Sequence, residues 1–168
     1  SKLPYVILGM LDNKSVSSVD IDNRLAAFEA VSYLIRLGHK KIAYLGNPTN
    51  SKHSNKRLLG YQNALNENGI PLIDQHYLRA GVNIEENFDI VYDLYSNEEN
   101  LPTAIFCDND LAAFGVISAL IMLKIKVPED VSVFGFGNID YGKYLKIPLS
   151  TINLPAFEIG EKSVDLLI

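Results

Sequence analysis

Strand-length apolar runs alternate with helix-period segments along almost the whole chain, and this alternation limits the fold more than any other feature. Tyr5–Met10 and roughly Ser17–Ile21 read as strands, and Ile42–Gly46, Tyr77–Ala80, Thr103–Cys107 and Val131–Phe136 as four more. Thr151–Asn153 reads as a short extended piece. Between them lie helix patterns. Asp22 or Asn23 caps a helix in which Phe28, Val31, Leu34 and Ile35 share a face and which Gly38 stops. A second helix, from about Asn55 to Asn68, buries Leu58, Tyr61 and Leu65. Asn83 caps a third, whose first turn carries Glu85 and Glu86 beside the positive helix end. Asp108 or Asn109 caps Leu111–Leu123, and Phe157–Ile168 is amphipathic.

Strand–helix alternation predicts an α/β fold with a mainly parallel sheet, right-handed crossovers and helices on both faces. Strands buried on both sides carry the near-continuous apolar runs seen here. The first two strands have no helix of normal length between them, so they are expected in a different sheet from the later ones.

Composition narrows the function. The 168 residues suffice for one sizeable core, or for one domain and part of another. A formal net charge of −5 argues against nucleic-acid binding by this chain alone, because phosphate contacts need a basic face. The single cysteine, Cys107, forbids an internal disulfide and fits a reducing compartment, so a cytoplasmic location is expected. No apolar run approaches the ~20 residues of a membrane span.

In an open α/β sheet, ligands bind beyond the carboxyl ends of the strands. That rule selects residues 46–57, 80–83, 107–110 and 136–140, with 9–12 as a possible fifth segment. Arg57 falls there, in what reads as the first turn of its helix. Its planar fork suits hydroxyl, carboxylate or phosphate oxygens, and a solvated helix arginine is the plainer reading. Lys52, His53 and Lys56 share the preceding loop. Asp108-Asn109-Asp110 combines helix capping with a possible amide contact to ligand, in preference to metal binding or phosphoryl acceptance. His39, His53 and His76 have neither triad nor metal spacing, and Cys107 reads as a core thiol. Gly135-Phe136-Gly137 lacks the third glycine of a dinucleotide fingerprint. The expectation is a non-enzyme without metal or cofactor. Leu120-Ile121-Met122-Leu123 makes its helix apolar on more than one face, so that helix is either sandwiched in the core or paired with a partner subunit.

Several stretches, in order, resemble the effector-binding core of the LacI/GalR family of bacterial transcription regulators. They are Ser18-Val19-Asp20 with Asp22-Asn23, Leu37-Gly38-His39-Lys40-Lys41-Ile42-Ala43, Arg57-Leu58-Leu59-Gly60-Tyr61 and Pro102-Thr103-Ala104-Ile105-Phe106. Asn109-Asp110-Leu111-Ala112-Ala113-Phe114-Gly115 continues the series. The most specific stretch runs from Val127-Pro128-Glu129-Asp130 to Phe136 and is followed by Pro148-Leu149-Ser150-Thr151-Ile152.

The resemblance implies a periplasmic-binding-protein-like (type I) effector domain with one subdomain essentially complete and the other partial. Residues 1–38 would be the partial N-terminal subdomain and 39–168 the C-terminal one. It also implies a helix-turn-helix domain outside this stretch that binds operator DNA, a homodimer using Phe114 and Leu145, and a sugar or sugar phosphate held in a cleft. Arg57 and Asn109 match the family's ligand-contacting arginine and asparagine. Asp22, Asn83, Asn138, Gly137 and Gly9 complete the expected effector set. Acids that contact ligand in some members fall here at Gly137 and Gly9, and a stacking aromatic falls near Val82. Three explanations compete: a bulkier or anionic ligand, takeover by Asn138 or Asp140, or control by a partner protein. The alternative to a regulator is a periplasmic sugar-binding protein for transport, which shares the fold.

Overall fold

A computed structural model describes residues 4–11, 15–46 and 51–168. Residue 12 of the segment 9–12 and residues 47–50 of the segment 46–57 lie outside the described residues. The chain divides into two compact units: the described residues of Ser1–Asp22 together with Leu154–Ile168, and Asn23–Asn153.

In the smaller unit, β1 (Ile7–Leu8) pairs in parallel with β2 (Ser18–Val19), and the C-terminal helix α5 (Ala156–Asp165) packs on both. The helix stops three residues short of the expected Ile168 and buries none of its own residues. The two strands form their own sheet, as their spacing predicted.

The larger unit is built on a five-stranded, wholly parallel sheet. In chain order it contains α1 (Asn23–Arg36), β3 (Ile42–Gly46), α2 (Lys52–Glu67), β4 (Tyr77–Arg79) and α3 (Ile84–Asn97). β5 (Ala104–Cys107), α4 (Asp110–Met122), β6 (Ser132–Gly137) and β7 (Ser150–Asn153) complete it. The strand order is β4-β3-β5-β6-β7, which places β5 at the centre. Three helices are closed at their N-termini by side chains: Ser51 accepts from the Ser54 amide, Asn83 from Glu86 and Asn109 from Ala112. Each such cap contributes about 1 kcal/mol.

The two faces of this sheet differ in chemistry. Tyr77, Tyr44, Phe106 and Phe134 are register partners on four adjacent strands and form an aromatic ladder on one face. Tyr44 stacks on Tyr77 and on Tyr61 of α2, with ring centroids 5.9 and 5.4 Å apart. Tyr33 of α1 meets Phe134 edge-on at 6.3 Å. The opposite face is aliphatic: Ala43, Leu45, Ile105, Cys107 and Val133 pack with Ala112, Val116 and Leu120 of α4 and Val91 of α3.

The two compact units part between Asp22 and Asn23 and between Asn153 and Leu154. α1 lies against α2, and its buried stripe is Ala27, Ala30, Val31 and Leu34, with Phe28 and Ile35 only half-buried. Small residues govern that contact. A β-carbon on Gly60 of α2 would collide with the Arg24 carbonyl and sit 2.8 Å from Ala27 Cβ, so bulk at this seam would part the helices. α4 is sandwiched: nine of its residues are buried, while Leu111, Ile121 and Met122 remain exposed. Phe114 is among the buried ones, its ring edge over Gly142, and Leu145 is half-buried against the aliphatic core.

At the amino ends of the strands, His39 bridges β5 and β6. Its Nδ1 lies 2.9 Å from Thr103 Oγ1 and its Nε2 3.1 Å from Ser132 Oγ. Burial lowers its pKa below the ordinary 6.5. The unfolded chain therefore binds this proton more tightly, and stability should fall as pH drops from 6.5 through the folded-state value. Denaturant melts between pH 7.5 and 5 should show that slope, reduced in His39→Gln relative to the parent.

Candidate functional site

The carboxyl ends of β3, β5 and β6 converge on Arg57. α2 begins at Lys52, three residues earlier than its apolar pattern suggests, because Ser51 supplies the cap. Arg57 is therefore in the second turn, and Lys52, His53 and Lys56 are helical and not in a loop. Arg57 Nε donates to Asn23 Oδ1 at 2.9 Å and an Nη donates to the Asp108 carbonyl at 2.5 Å. The same nitrogen lies 3.8 Å from Asp108 Oδ1, and the guanidinium carbon sits 3.7 Å over the Phe136 ring. The arginine is thus held over the Phe136 ring of β6 by Asn23 of α1 and by Asp108 just past β5, with 13% of its side chain accessible.

Asp108 is buried and belongs to this cluster, not to the helix cap. Its carboxylate accepts from the Tyr44 hydroxyl at 3.1 Å, a proton shared with the Ser54 carbonyl at 3.2 Å. Burial, and then the negative charge of Asp108, push the Tyr44 phenol far above its ordinary pKa, so it remains a neutral donor. Asn109 performs the capping, its Oδ1 2.8 Å from the Ala112 amide.

Asp110 points to the other face of the sheet. It is 2% exposed, and both carboxylate oxygens are engaged, by the Thr151 hydroxyl at 2.5 Å and the Ile139 amide at 2.8 Å. Asn138 is exposed, has a φ of +57°, and donates from Nδ2 to Asn153 Oδ1 at 2.9 Å. Gly137 beside it has a φ of +138°. Asp140, the other candidate to replace a missing acid, is a surface residue paired with Lys143 at 3.0 Å.

Arg57 thus contacts Asp108 and Phe136, Asn109 caps the helix between the two aspartates, and Asn138 bonds Thr151 and Asn153 beside the Asp110 carboxylate. Asn83 is at the end of the edge strand, where its side chain caps α3 and bonds Glu86, and Val82 beside it is exposed. Gly9 and Asp22 belong to the smaller unit, where the Gly9 amide donates to the Val19 carbonyl at 2.8 Å. Sequence reasoning missed the two aspartates' separate duties. The available signal was the change of element: Asp108 directly follows the buried strand, whereas Asp110 comes after the capping asparagine and opens the helix. Among the described residues, no cluster of three or more His, Cys, Asp or Glu could hold a metal. None of the described helices is long and apolar enough to cross a membrane.

Cys107, between the aspartates and the core, is fully buried. Burial, then the charges of Asp110 and Asp108, push its thiol well above the usual value. The chain's one thiol should stay unlabelled by iodoacetamide at pH 8 for hours when native and react within minutes in denaturant.

The periplasmic binding protein-like domain model matches residues 31–168. Over 151 residues the chain is 38% identical to the transcriptional repressor CytR of Escherichia coli strain K12, covering 90% of this chain and 44% of that protein. It is 30% identical over 168 residues to the repressor PurR of Haemophilus influenzae, all of this chain and 50% of that one. The chain thus spans about half the length of these relatives, which are repressors and not enzymes. A LacI-family regulatory protein from Chloroflexus aggregans superposes with a TM-score of 0.92 at 32% identity, covering 98% of this chain and 59% of that one. A sugar-binding LacI-family regulator from Escherichia coli, solved with phosphate, gives 0.91 at 32% identity with the same coverage. The fold, the matched family model and these relatives agree: the chain belongs to the periplasmic binding protein-like domain family, in the form carried by LacI-family transcriptional regulators.

Proposed function

We propose that this chain is the effector-sensing part of a cytoplasmic transcriptional regulator whose operator contacts are made by a DNA-binding domain outside the 168 residues. Its effector is a small polyhydroxylated molecule, a sugar or sugar phosphate, recognised at the carboxyl edge of the larger unit's sheet. Arg57 carries this reading. A guanidinium fixed on an aromatic ring, restrained by Asn23 and Asp108 and still partly accessible, is pre-organised for oxygen-rich ligands. Asp108 offsets much of its charge, which favours hydroxyls over a bare anion. Asn109 and Asn138, beyond the ends of β5 and β6, add side-chain amides at the same edge of the sheet. Among the structural neighbours, the Escherichia coli regulator was solved with phosphate and one from Enterococcus faecium with bound ribose. Ligand would act by favouring one conformation of the regulator. We assign homodimerisation to the α4 side, where Leu111, Ile121, Met122, Tyr141 and Tyr144 are exposed around Phe114 and Leu145.

A thermal-shift panel of neutral sugars, sugar phosphates and nucleosides on the full-length regulator tests the effector. A ligand at ~100 times its dissociation constant stabilises by about 2.7 kcal/mol. For a chain of this size that is a shift of roughly 5–11 °C. A shift with a sugar or sugar phosphate, lost in Arg57→Ala, supports the assignment. No shift with either class overturns it and moves the search to other effectors or protein partners.

A further inference from the structure

We propose that Asp110 is the positioning residue of this site: its buried carboxylate fixes residues 137–139 so that the edge presents the Asn138 amide and excludes an acidic side chain at position 137. The inference rests on the effector reading only for what the edge is used for.

The argument is one of space and hydrogen bonding. Gly135 and Gly137 pair with Thr151 and Asn153 across β6 and β7, on the sheet face that Asp110 approaches from the start of α4. A β-carbon on Gly135 would collide with Asp110 Oδ1, and one on Gly137 would lie 3.3 Å from Oδ2. The carboxylate thus fills the space a side chain at 135 would take and crowds one at 137. Its two oxygens then tie two segments together, Thr151 through Oδ1 and the Ile139 amide through Oδ2. Asn138 lies between those ties. Its φ of +57° follows the +138° of Gly137, and its amide nitrogens reach Thr151 Oγ1 at 3.4 Å and Asn153 Oδ1 at 2.9 Å. An aspartate at 137 would meet both a backbone geometry that L-residues rarely adopt and a second carboxylate. The glycine at the mouth of the strand is therefore the consequence of an acid placed behind it.

The consequence for specificity is chemical. A carboxylate only accepts hydrogen bonds from a ligand, whereas an amide both donates and accepts. This edge therefore tolerates carbonyl or phosphoryl oxygens that an acid at 137 would repel.

The test needs no ligand, so its failure is separate from failure of the effector panel. In Asp110→Asn only one oxygen remains to accept, so either the amide nitrogen opposes the Ile139 amide or the Thr151 hydroxyl must reverse from donor to acceptor. Solution NMR should show Asn138 Cα and Cβ shifts leaving the positive-φ range, and Ile139 amide exchange about tenfold faster or more. Thr151→Val, which removes one tie while keeping shape, should move the same Asn138 signals, and Thr151→Ser should restore them. These milder variants carry the test if Asp110→Asn fails to fold. Gly137→Asp should melt below Gly137→Ala at pH 7, and the gap should close at acidic pH or in an Asp110→Asn background. Unchanged Asn138 shifts in Thr151→Val, or Gly137→Asp melting with Gly137→Ala, would overturn the proposal.

Discussion

Arg57→Ala is expected to lower the melting temperature by roughly 6–12 °C and to abolish effector-induced stabilisation together. The structural loss comes from what is left behind. Asp108 is 3% exposed at its side chain, and Arg57 is the cation beside it, 3.8 Å away. Removing one partner of a buried pair strands the other charge, which costs about 3 kcal/mol, and chains of this size lose about 2–4 °C per kcal/mol. The 3.7 Å stacking on Phe136 and the bond to Asn23 are lost with it. Arg57→Ala combined with Asp108→Asn should be less damaging than the sum of the two, because the stranded charge is gone. Urea melts of the four proteins check this. A loss below about 1 kcal/mol, the range of a surface ion pair, would mean that Arg57 is solvated and not fixed.

The strands and their parallel order were legible because each buried strand is a short, continuous apolar run bounded by polar residues. Ile42–Gly46 was located to the residue. Helix starts were less legible where the cap precedes polar residues: nothing apolar marks Lys52, His53 and Ser54 as helical, and only the Ser51 bond to Ser54 reveals the turn. The contact between α1 and α2 was hard to read for a related reason. Phe28 and Ile35 dominate the hydrophobic pattern of α1, yet the contact with α2 is made by alanines against Gly60, and small residues carry little hydropathy signal. For the candidate site, topology pointed to the strand ends near which the structure places Arg57 and Asn109. The roles of Asp108 and Asp110 were not legible, because Asp108 directly follows β5 whereas Asp110 already belongs to α4, and only the fold shows what waits for each carboxylate.

Phe106→Ala should be the most damaging single truncation in the larger unit. Phe106 is 0% exposed on the central strand, in register with Tyr44 on one side and Phe134 on the other, with its ring 5.8 Å from that of Tyr44. Deleting such a ring costs about 3–5 kcal/mol, the removed burial plus the cavity left between two strands that cannot close up. That corresponds to a drop in melting temperature of roughly 6–20 °C. Phe106→Leu, which keeps most of the volume, should lose well under half as much. The damage should also reach the site, because the ladder sets the position of Tyr44, whose hydroxyl bonds Asp108, the partner of Arg57. Tyr44→Phe removes that bond together with the one to the Ser54 carbonyl and should cost about 1 kcal/mol in the parent. In a Phe106→Ala background its cost should shrink, since a Tyr44 released from its neighbour no longer holds the carboxylate. Equal costs in both backgrounds would show that the aromatic ladder stabilises the sheet without positioning the arginine.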